Sequence, residues 1–294
     1  MTPCFENIYG RGQRIFIIDA GSSKTQVVIL QRNSNLIIKE FELEAINPVH
    51  LSDEEIIAKI CPLKDFALSG DDVAYFGAGC FSEATCRRTK DALRRIGFDG
   101  SINIASDIIA SGLSLFGRRE GIACILGTGS NTSFFKDGAP IASVPSLGYI
   151  LGDEGSGASI GKRLLKSILR KDVSESIYDL FMKETDQDYP KIIECIYRGA
   201  SPNKYLAHFT HFVSAHIQDK EIEDIVIKEF SELFKNQISK YDNYKNVPIG
   251  FTGSVAKIFE PQLKQVARNF GCSIETISKY PLEGLINYFR NNRL

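Results

Sequence analysis

The feature that most constrains the fold of this chain is a three-stranded pattern that occurs twice. Residues 14–38 read RIFIIDAGSSKTQVVILQRNSNLII: an apolar run, a turn of small residues, a β-rich run, a polar turn and a third apolar run. Residues 121–142, GIACILGTGSNTSFFKDGAPIA, repeat this order. Apolar runs separated by short glycine and polar turns predict antiparallel β-meanders. Two copies of one pattern predict two lobes of related structure.

Helices and strands alternate outside the two meanders. Between them the sequence predicts helices over 52–63, 82–97 and 107–116 and strands over 73–79 and 102–106. After the second meander it predicts helices over 156–170, 174–184, 190–197, 204–218 and 221–241, a strand and turn over 247–254, a strand over 273–277 and a helix over 281–292. This alternation predicts the α/β class, with mixed sheets flanked by helices.

The length of the chain bears on the number of domains. A chain of 294 residues favours two lobes, although one long domain stays open. The first lobe is predicted to end near Gly117, where the helix before the second meander stops. The expected domains are therefore residues 1–117 and residues 118–294, the second carrying a helical insert.

Composition limits the partners and the compartment. Basic and acidic residues are interspersed and the formal net charge is -1, so no extended basic face is expected for nucleic acid or an anionic membrane. The seven cysteines contain no CxxC pair, which favours reduced thiols. No export signal or long apolar segment is visible. The sequence predicts a cytoplasmic protein with a small-molecule substrate.

Three glycine turns have the composition of a polyphosphate site, because backbone N–H groups in tight turns can hold phosphates without steric cost. Each turn alone is typical of an ordinary hairpin, but three in this order indicate ATP binding. Asp19 precedes the first turn, and a carboxylate beside phosphate needs a cation such as Mg²⁺ between them. The candidate ATP-binding residues are Gly21, Ser22, Ser23, Lys24 and Thr25, then Gly127, Thr128, Gly129 and Ser130, then Gly253 and Ser254.

These turns resemble, in order and spacing, the phosphate 1, phosphate 2 and adenosine motifs of the sugar kinase, Hsp70 and actin superfamily. The stretch Gly148-Tyr-Ile-Leu-Gly-Asp-Glu-Gly-Ser-Gly157 is similar to N-acetylglucosamine kinases and the related BadF/BadG ATPases. The resemblance implies two RNase H-like lobes of the actin-like ATPase fold, with ATP, Mg²⁺ and sugar in a cleft between them. It further implies phosphorylation of N-acetylglucosamine to its 6-phosphate, and a homodimer is one expectation.

Five acidic or polar residues and one glycine are candidates for chemistry and sugar binding. By position, Asp107 fits both a helix N-cap and a catalytic base, and the resemblance favours the catalytic role. The resemblance implies that Asp153 accepts hydrogen bonds from sugar hydroxyls, that Gly148 lines the sugar site, and that Glu154 acts on Mg²⁺ through water, with Asp19 as the other metal residue. Asn47 matches the substrate-contacting Asn-His pair of the family only in part, since two residues separate it from His50.

Other functions stay open at this stage. One is an ATPase activator of a radical acyl-CoA dehydratase or reductase, which would need cluster cysteines near the glycine-acid stretch, and residues 125–194 contain none. A second is a non-catalytic sugar sensor, which the presence of both Asp19 and Asp107 disfavours. A kinase for glucosamine, N-acetylmuramic acid, N-acetylmannosamine or glucose is also open. The histidines at 208, 211 and 216 lack the further ligands of a metal site.

Overall fold

The computed structural model describes residues 12–292, which form two compact units. Unit one comprises residues 12–119, 137–139 and 281–292, and unit two comprises residues 120–136 and 140–280. The strands are β1 (Arg14–Ala20), β2 (Lys24–Gln31), β3 (Leu36–Glu44), β4 (Asp72–Gly77), β5 (Ile102–Ser106), β6 (Gly121–Leu126), β7 (Ser130–Lys136), β8 (Ala139–Val144), β9 (Ile249–Thr252) and β10 (Ile274–Ser278). The α-helices are α1 (Asp53–Ile60), α2 (Glu83–Arg95), α3 (Asp107–Phe116), α4 (Gly148–Leu151), α5 (Gly157–Arg170), α6 (Glu175–Thr185), α7 (Tyr189–Arg198), α8 (Pro202–His208), α9 (Thr210–Ala215), α10 (Lys220–Asn236), α11 (Ser254–Ile258), α12 (Glu260–Asn269) and α13 (Leu282–Asn291). Across residues 12–292, no helix combines the length and the apolar character needed to cross a membrane.

Unit one is built on a five-stranded sheet with the strand order β3-β2-β1-β4-β5. β1 pairs antiparallel with β2 and parallel with β4, and β4 pairs parallel with β5. The carboxyl ends of the three parallel strands therefore meet at one edge of the sheet. Asp19 lies at that end of β1, and Asp107 directly follows β5. The topology thus brings these two acids to the same edge.

Helices cover both faces of this sheet. α1 and α2 each begin at a capping box. The side chain of the N-cap serine, Ser52 or Ser82, accepts the backbone N–H of the residue three positions later, and the side chain of that residue accepts the backbone N–H of the serine. On their side, the buried cluster joins strand and helix residues: Phe16, Ile18, Ile56, Tyr75 and Leu93. Ile15 and Ile17 point to the opposite face and are also buried, since α3 and α13 contact β1.

The last helix, α13, packs within unit one, whereas the sequence placed all of residues 118–294 in the second lobe. It lies against α3 at very short range: a Cβ added to Gly284 would be 2.1 Å from Ser114 Oγ. Only glycine permits this approach of the two helices. The amphipathic pattern of residues 281–292 predicts the helix but carries no information about which sheet it covers.

Unit two repeats the topology of unit one. Its sheet has the order β10-β9-β6-β7-β8, so the first meander strand is again central, with the second and third strands on one side and the two later strands on the other. β6 pairs antiparallel with β7 and parallel with β9, and β10 pairs parallel with β9. The predicted α/β fold with two mixed sheets is confirmed, and so is the predicted repeat.

The core of unit two joins residues of its sheet to residues of the helices, among them α5, α10 and α12. The residues joined in that core include Cys124, Leu126, Ile160, Leu164, Phe230, Leu233, Phe251 and Val266. Two predicted helices differ in extent. The helix over 204–218 is divided at Phe209, a buried ring that packs 5.2 Å from the Tyr205 ring, and the helix over 221–241 stops at Asn236 before a short 3-10 turn. At Phe209 the ring also packs on Phe181 of α6, with 5.7 Å between the ring centroids, and this tertiary contact accompanies the break in the helical pattern.

Candidate active site

Asp19 and Asp107 form a pair of carboxyl groups at the sheet edge of unit one. Burial raises the pKa of Asp19 to about 7; the charge of Asp107 also raises it, and the charge of Lys24 opposes the shift. Burial raises the pKa of Asp107 as well, against the N–H of Ile108, which donates to Asp107 Oδ1 at 2.9 Å. Neighbouring acids whose ionised forms are both disfavoured mark a candidate site for a cation or for proton transfer.

The position of Asp107 in α3 bears on the two roles expected for it, helix N-cap and catalytic base. Ser106 holds the N-cap position, with extended backbone angles of φ -76° and ψ 159°, and its side chain makes no capping hydrogen bond. Asp107 is the first residue of the helix. Its side chain therefore does not serve as the N-cap.

The first glycine turn joins β1 to β2. The N–H of Gly21 donates to the carbonyl of Lys24 at 3.0 Å, and the Lys24 ammonium pairs with Glu42 on β3. Thr25 is buried, and its hydroxyl has no hydrogen-bond partner among residues 12–292.

The second glycine turn joins β6 to β7 and rests on the start of α5. The N–H of Gly127 donates to the carbonyl of Gly129 at 3.0 Å, which closes the turn. At the start of α5, the N–H groups of Gly157 and Ala158 donate to the carbonyls of Gly127 and Thr128 at 2.8 and 3.0 Å. The first turn of α5 therefore fixes the backbone of this loop.

Asp153 lies against the second turn within unit two. It adopts the left-handed region at φ 55°, is 8% exposed, and its Oδ1 accepts the N–H of Ser130 at 3.3 Å. A Cβ on Gly129 would be only 2.9 Å from Asp153 Oδ2, so any larger residue there would displace this carboxylate. Burial raises the pKa of Asp153, as does the charge of Glu154, and the N–H of Ser130 opposes the shift.

The third glycine turn follows β9 and precedes α11. Gly253 has φ 119°, which side chains rarely adopt, and a Cβ there would be 2.1 Å from the carbonyl oxygen of Leu126. Its N–H donates to the carbonyl of Ser278 at 3.0 Å. Unit two therefore brings the second turn, the stretch around Asp153 and the turn at Gly253–Ser254 to one end of its sheet.

A solved structure from Porphyromonas gingivalis, a candidate N-acetylglucosamine kinase, shares 32% sequence identity with this chain. The two align with a TM-score of 0.86 over 95% of this chain and 100% of that one. The chain belongs to the N-acetylglucosamine kinase family.

Two further relatives extend the comparison for this kinase family member. The N-acetylmuramic acid/N-acetylglucosamine kinase of Clostridium acetobutylicum is 28% identical over 239 residues, which are 74% of this chain and 76% of the relative. A ROK family glucokinase from Streptomyces griseus, solved in complex with glucose and AMPPNP, is 11% identical with a TM-score of 0.53 over 95% and 99% of the two chains, which shows a shared fold. The sequence matches no family model.

Two of the predicted sugar residues of this N-acetylglucosamine kinase homologue lie in different units. In unit one, Asn47 Oδ1 accepts the N–H of Val49 at 3.0 Å and lies beside Gly79, where a Cβ would be 2.2 Å from that oxygen. In unit two, Gly148 begins α4 with φ 70°, and the space next to its Cα is open. Gly79 was not singled out in the sequence, although its place in a GAG turn after a strand is a usable signal.

The three histidines at 208, 211 and 216 lie in or directly after α8 and α9. His216 pairs with Glu184 at 2.8 Å, and among residues 12–292 no group of three or more potential ligands is found. His208 and His211 instead line a cavity of about 340 Å³ among α6, α8 and α9. None of the predicted site residues lines this cavity, which is therefore separate from the candidate active site.

Gln237 was missed by the sequence reasoning. It follows α10 and is 1% exposed, and its amide Nε2 donates to Glu154 Oε2 at 2.9 Å. In the sequence, Gln237 is only a polar residue at the end of an amphipathic helix. An exposed side chain is as much expected at such a position as a buried one.

Proposed function

We propose that this protein transfers the γ-phosphoryl group of ATP to N-acetylglucosamine and forms N-acetylglucosamine 6-phosphate. The observation that carries the proposal is Asp107, a carboxyl group with a raised pKa that stands beside Asp19 and is not used as the N-cap of α3. A carboxylate in such a position can accept the proton of a sugar hydroxyl as that oxygen forms its bond to phosphorus and the bond to the ADP oxygen breaks.

The three glycine turns are the proposed nucleotide contacts. Gly21 to Thr25 and Gly127 to Ser130 would hold phosphate oxygens through backbone N–H groups and hydroxyls. Gly253 and Ser254 would contact the nucleoside. The raised pKa of Asp19 fits a nearby cation, and we propose that Asp19 and Glu154 hold Mg²⁺, directly or through water. The Mg²⁺ ion would neutralise negative charge on the phosphates of ATP.

The sugar is proposed to contact Asn47, Gly148 and Asp153, together with Asp107. The Oδ1 of Asp153 accepts the N–H of Ser130, which orients the carboxylate, and a carboxylate can accept hydrogen bonds from sugar hydroxyls. This places the proposed sugar residue next to the proposed phosphate loop. A cytoplasmic location and a homodimer remain predictions from the sequence.

A coupled assay of ADP release tests the proposal directly. The assay compares N-acetylglucosamine, N-acetylmuramic acid, glucosamine, N-acetylmannosamine and glucose as acceptors with MgATP. We expect N-acetylglucosamine to give the highest kcat/KM, with a sugar 6-phosphate as product. ADP release that no sugar stimulates would contradict a kinase and favour an ATPase activator, and a higher kcat/KM for another sugar would correct the substrate.

Replacing Asp153 with Asn is expected to raise the KM for N-acetylglucosamine by about tenfold, because one hydrogen bond to a charged acceptor is lost. Asn retains an acceptor oxygen for the N–H of Ser130, so the second turn should stay in place and the KM for ATP should change little. The measurement is steady-state kinetics with each substrate varied. Asp137→Asn is the matched control, since Asp137 also has a left-handed backbone, at φ 53°, in a turn outside the candidate site. An unchanged KM for the sugar in Asp153→Asn would contradict the assignment.

A further inference from the structure

Gln237 carries a buried amide that links two loops of the candidate site. Its Nε2 donates to Glu154 Oε2 at 2.9 Å, and Ser130 Oγ lies at 3.5 Å from the same nitrogen. Its Oε1 accepts the hydroxyl of Thr132 at 3.3 Å. The side chain is 1% exposed, and Thr132 is fully buried, so water does not compete for these hydrogen bonds.

The direction of the amide is fixed by a chain of hydrogen bonds. The N–H of Val144 donates to the hydroxyl oxygen of Tyr241 at 3.1 Å, so the Tyr241 proton is free to go to Thr132 Oγ1, which lies 2.8 Å away. The Thr132 proton then goes to Gln237 Oε1, which leaves Nε2 as the end that faces Glu154. Each hydroxyl in this chain accepts one hydrogen bond and donates the next, and the last donor, Gln237 Nε2, hydrogen-bonds to the carboxylate of Glu154.

The partner of Glu154 is neutral, and this determines what the hydrogen bond can do. An arginine or lysine in this place would fix the carboxylate and also cancel its charge. The Gln237 amide holds Glu154 Oε2 in one direction and leaves the negative charge available for a cation. Because Thr132 and Ser130 lie on β7, directly after the second glycine turn, the same amide also links Glu154 to the loop proposed to hold phosphates.

We propose that Gln237 is a positioning residue that orients Glu154 toward the nucleotide-bound Mg²⁺ and so raises the affinity of the protein for the metal complex of ATP. This inference rests on the proposed function, since it assumes that Glu154 acts on that cation. It concerns the binding of the nucleotide with its Mg²⁺, which can be measured without phosphoryl transfer.

The test is calorimetric titration of AMPPNP into the protein, once with saturating Mg²⁺ and once in EDTA. The ratio of the two Kd values measures how much Mg²⁺ strengthens nucleotide binding. Gln237→Met keeps the length of the side chain and removes both hydrogen-bonding groups. We expect it to reduce that ratio by about tenfold and to leave the Kd in EDTA unchanged, because a hydrogen bond to a charged group is lost.

A double-mutant cycle shows whether Gln237 acts through Glu154. In a Glu154→Gln background, Gln237→Met should have no further effect on the ratio, since the carboxylate that it positions is gone. Gln262→Met is the matched control: Gln262 Nε2 donates to Glu223 Oε1 at 3.2 Å in the same unit, outside the site, and the variant should behave as wild type. If Gln237→Met does not fold, Thr132→Val removes the donor to Gln237 Oε1 and should lower the ratio in the same direction.

Four results would overturn the inference, and three of them come from Gln237→Met: an unchanged ratio, an equal loss of affinity with Mg²⁺ and in EDTA, or a full effect that persists in the Glu154→Gln background. An unchanged ratio in Glu154→Gln would remove the metal role of Glu154 and this inference with it. The failure of the kinase proposal looks different, since it appears as absent sugar-dependent ADP release in the wild-type protein, whatever the calorimetry shows.

Discussion

Asp107→Asn is expected to lower kcat with N-acetylglucosamine by about 10³-fold, within the range that general base catalysis supplies. Asparagine has nearly the same shape and keeps an oxygen that can accept the N–H of Ile108, so α3 should begin as in the wild type. It cannot accept the proton of the sugar hydroxyl. The affinity for AMPPNP should change little, because the proposed nucleotide contacts lie elsewhere.

The measurements for Asp107→Asn are kcat by coupled ADP release and Kd for AMPPNP by calorimetry. Asp91→Asn is the control, because Asp91 is an exposed aspartate on α2 of the same unit and should leave both quantities unchanged. Turnover near the wild-type value in Asp107→Asn would remove Asp107 from the role of base. A parallel loss of AMPPNP affinity would instead point to a role in nucleotide binding.

Asp19→Asn is expected to lower kcat/KM for MgATP by at least about 10²-fold and, in the same variant, to stabilise the nucleotide-free protein above neutral pH. The loss of activity follows from removing a carboxylate proposed to hold the cation. The gain in stability follows from the pKa of Asp19, which is raised to about 7 mainly by burial and then by the charge of Asp107. Function and stability therefore make opposite demands on this residue.

The sign of the stability effect follows from proton binding. Between the ordinary pKa of 3.8 and about 7, the folded state holds a proton on Asp19 that the unfolded state has released, so wild-type stability falls as the pH rises through this window. Asparagine has no charge to bury. Thermal unfolding without nucleotide should show Asp19→Asn to be more stable than wild type at about pH 8, by about 2 kcal/mol after allowing for partial access of the carboxyl to water. The difference should shrink at about pH 5, and a variant less stable than wild type at about pH 8 would contradict this account.

Patterns local in sequence predict much of this fold. The two meanders place Asp19 and the turn at Gly127–Ser130 correctly at the ends of central strands, because short continuous apolar runs and glycine turns are local signals. The parallel pairing of β1, β4 and β5 then follows from alternating strands and helices, and it brings Asp107 to the edge occupied by Asp19.

The sequence could not predict features that depend on distant contacts. Whether Asp107 or Ser106 occupies the N-cap is a difference of one residue, which periodicity does not resolve. The buried amide of Gln237 becomes visible only when Glu154 and Thr132 are placed around it, and these residues lie 83 and 105 positions away in sequence. The packing of α13 on α3 likewise depends on residues that are distant in sequence.

The place of α13 affects how the protein is made. A ribosome releases residues 12–119 first, but the helix that packs against α3 follows only after all of unit two has been synthesised. The nascent first unit therefore leaves one side of α3 uncovered, and α3 is the helix that begins at the proposed base, Asp107. Unit two, whose segments 120–136 and 140–280 are interrupted by only three residues, can bury its core earlier. The lobe that is translated first is thus expected to complete its packing last.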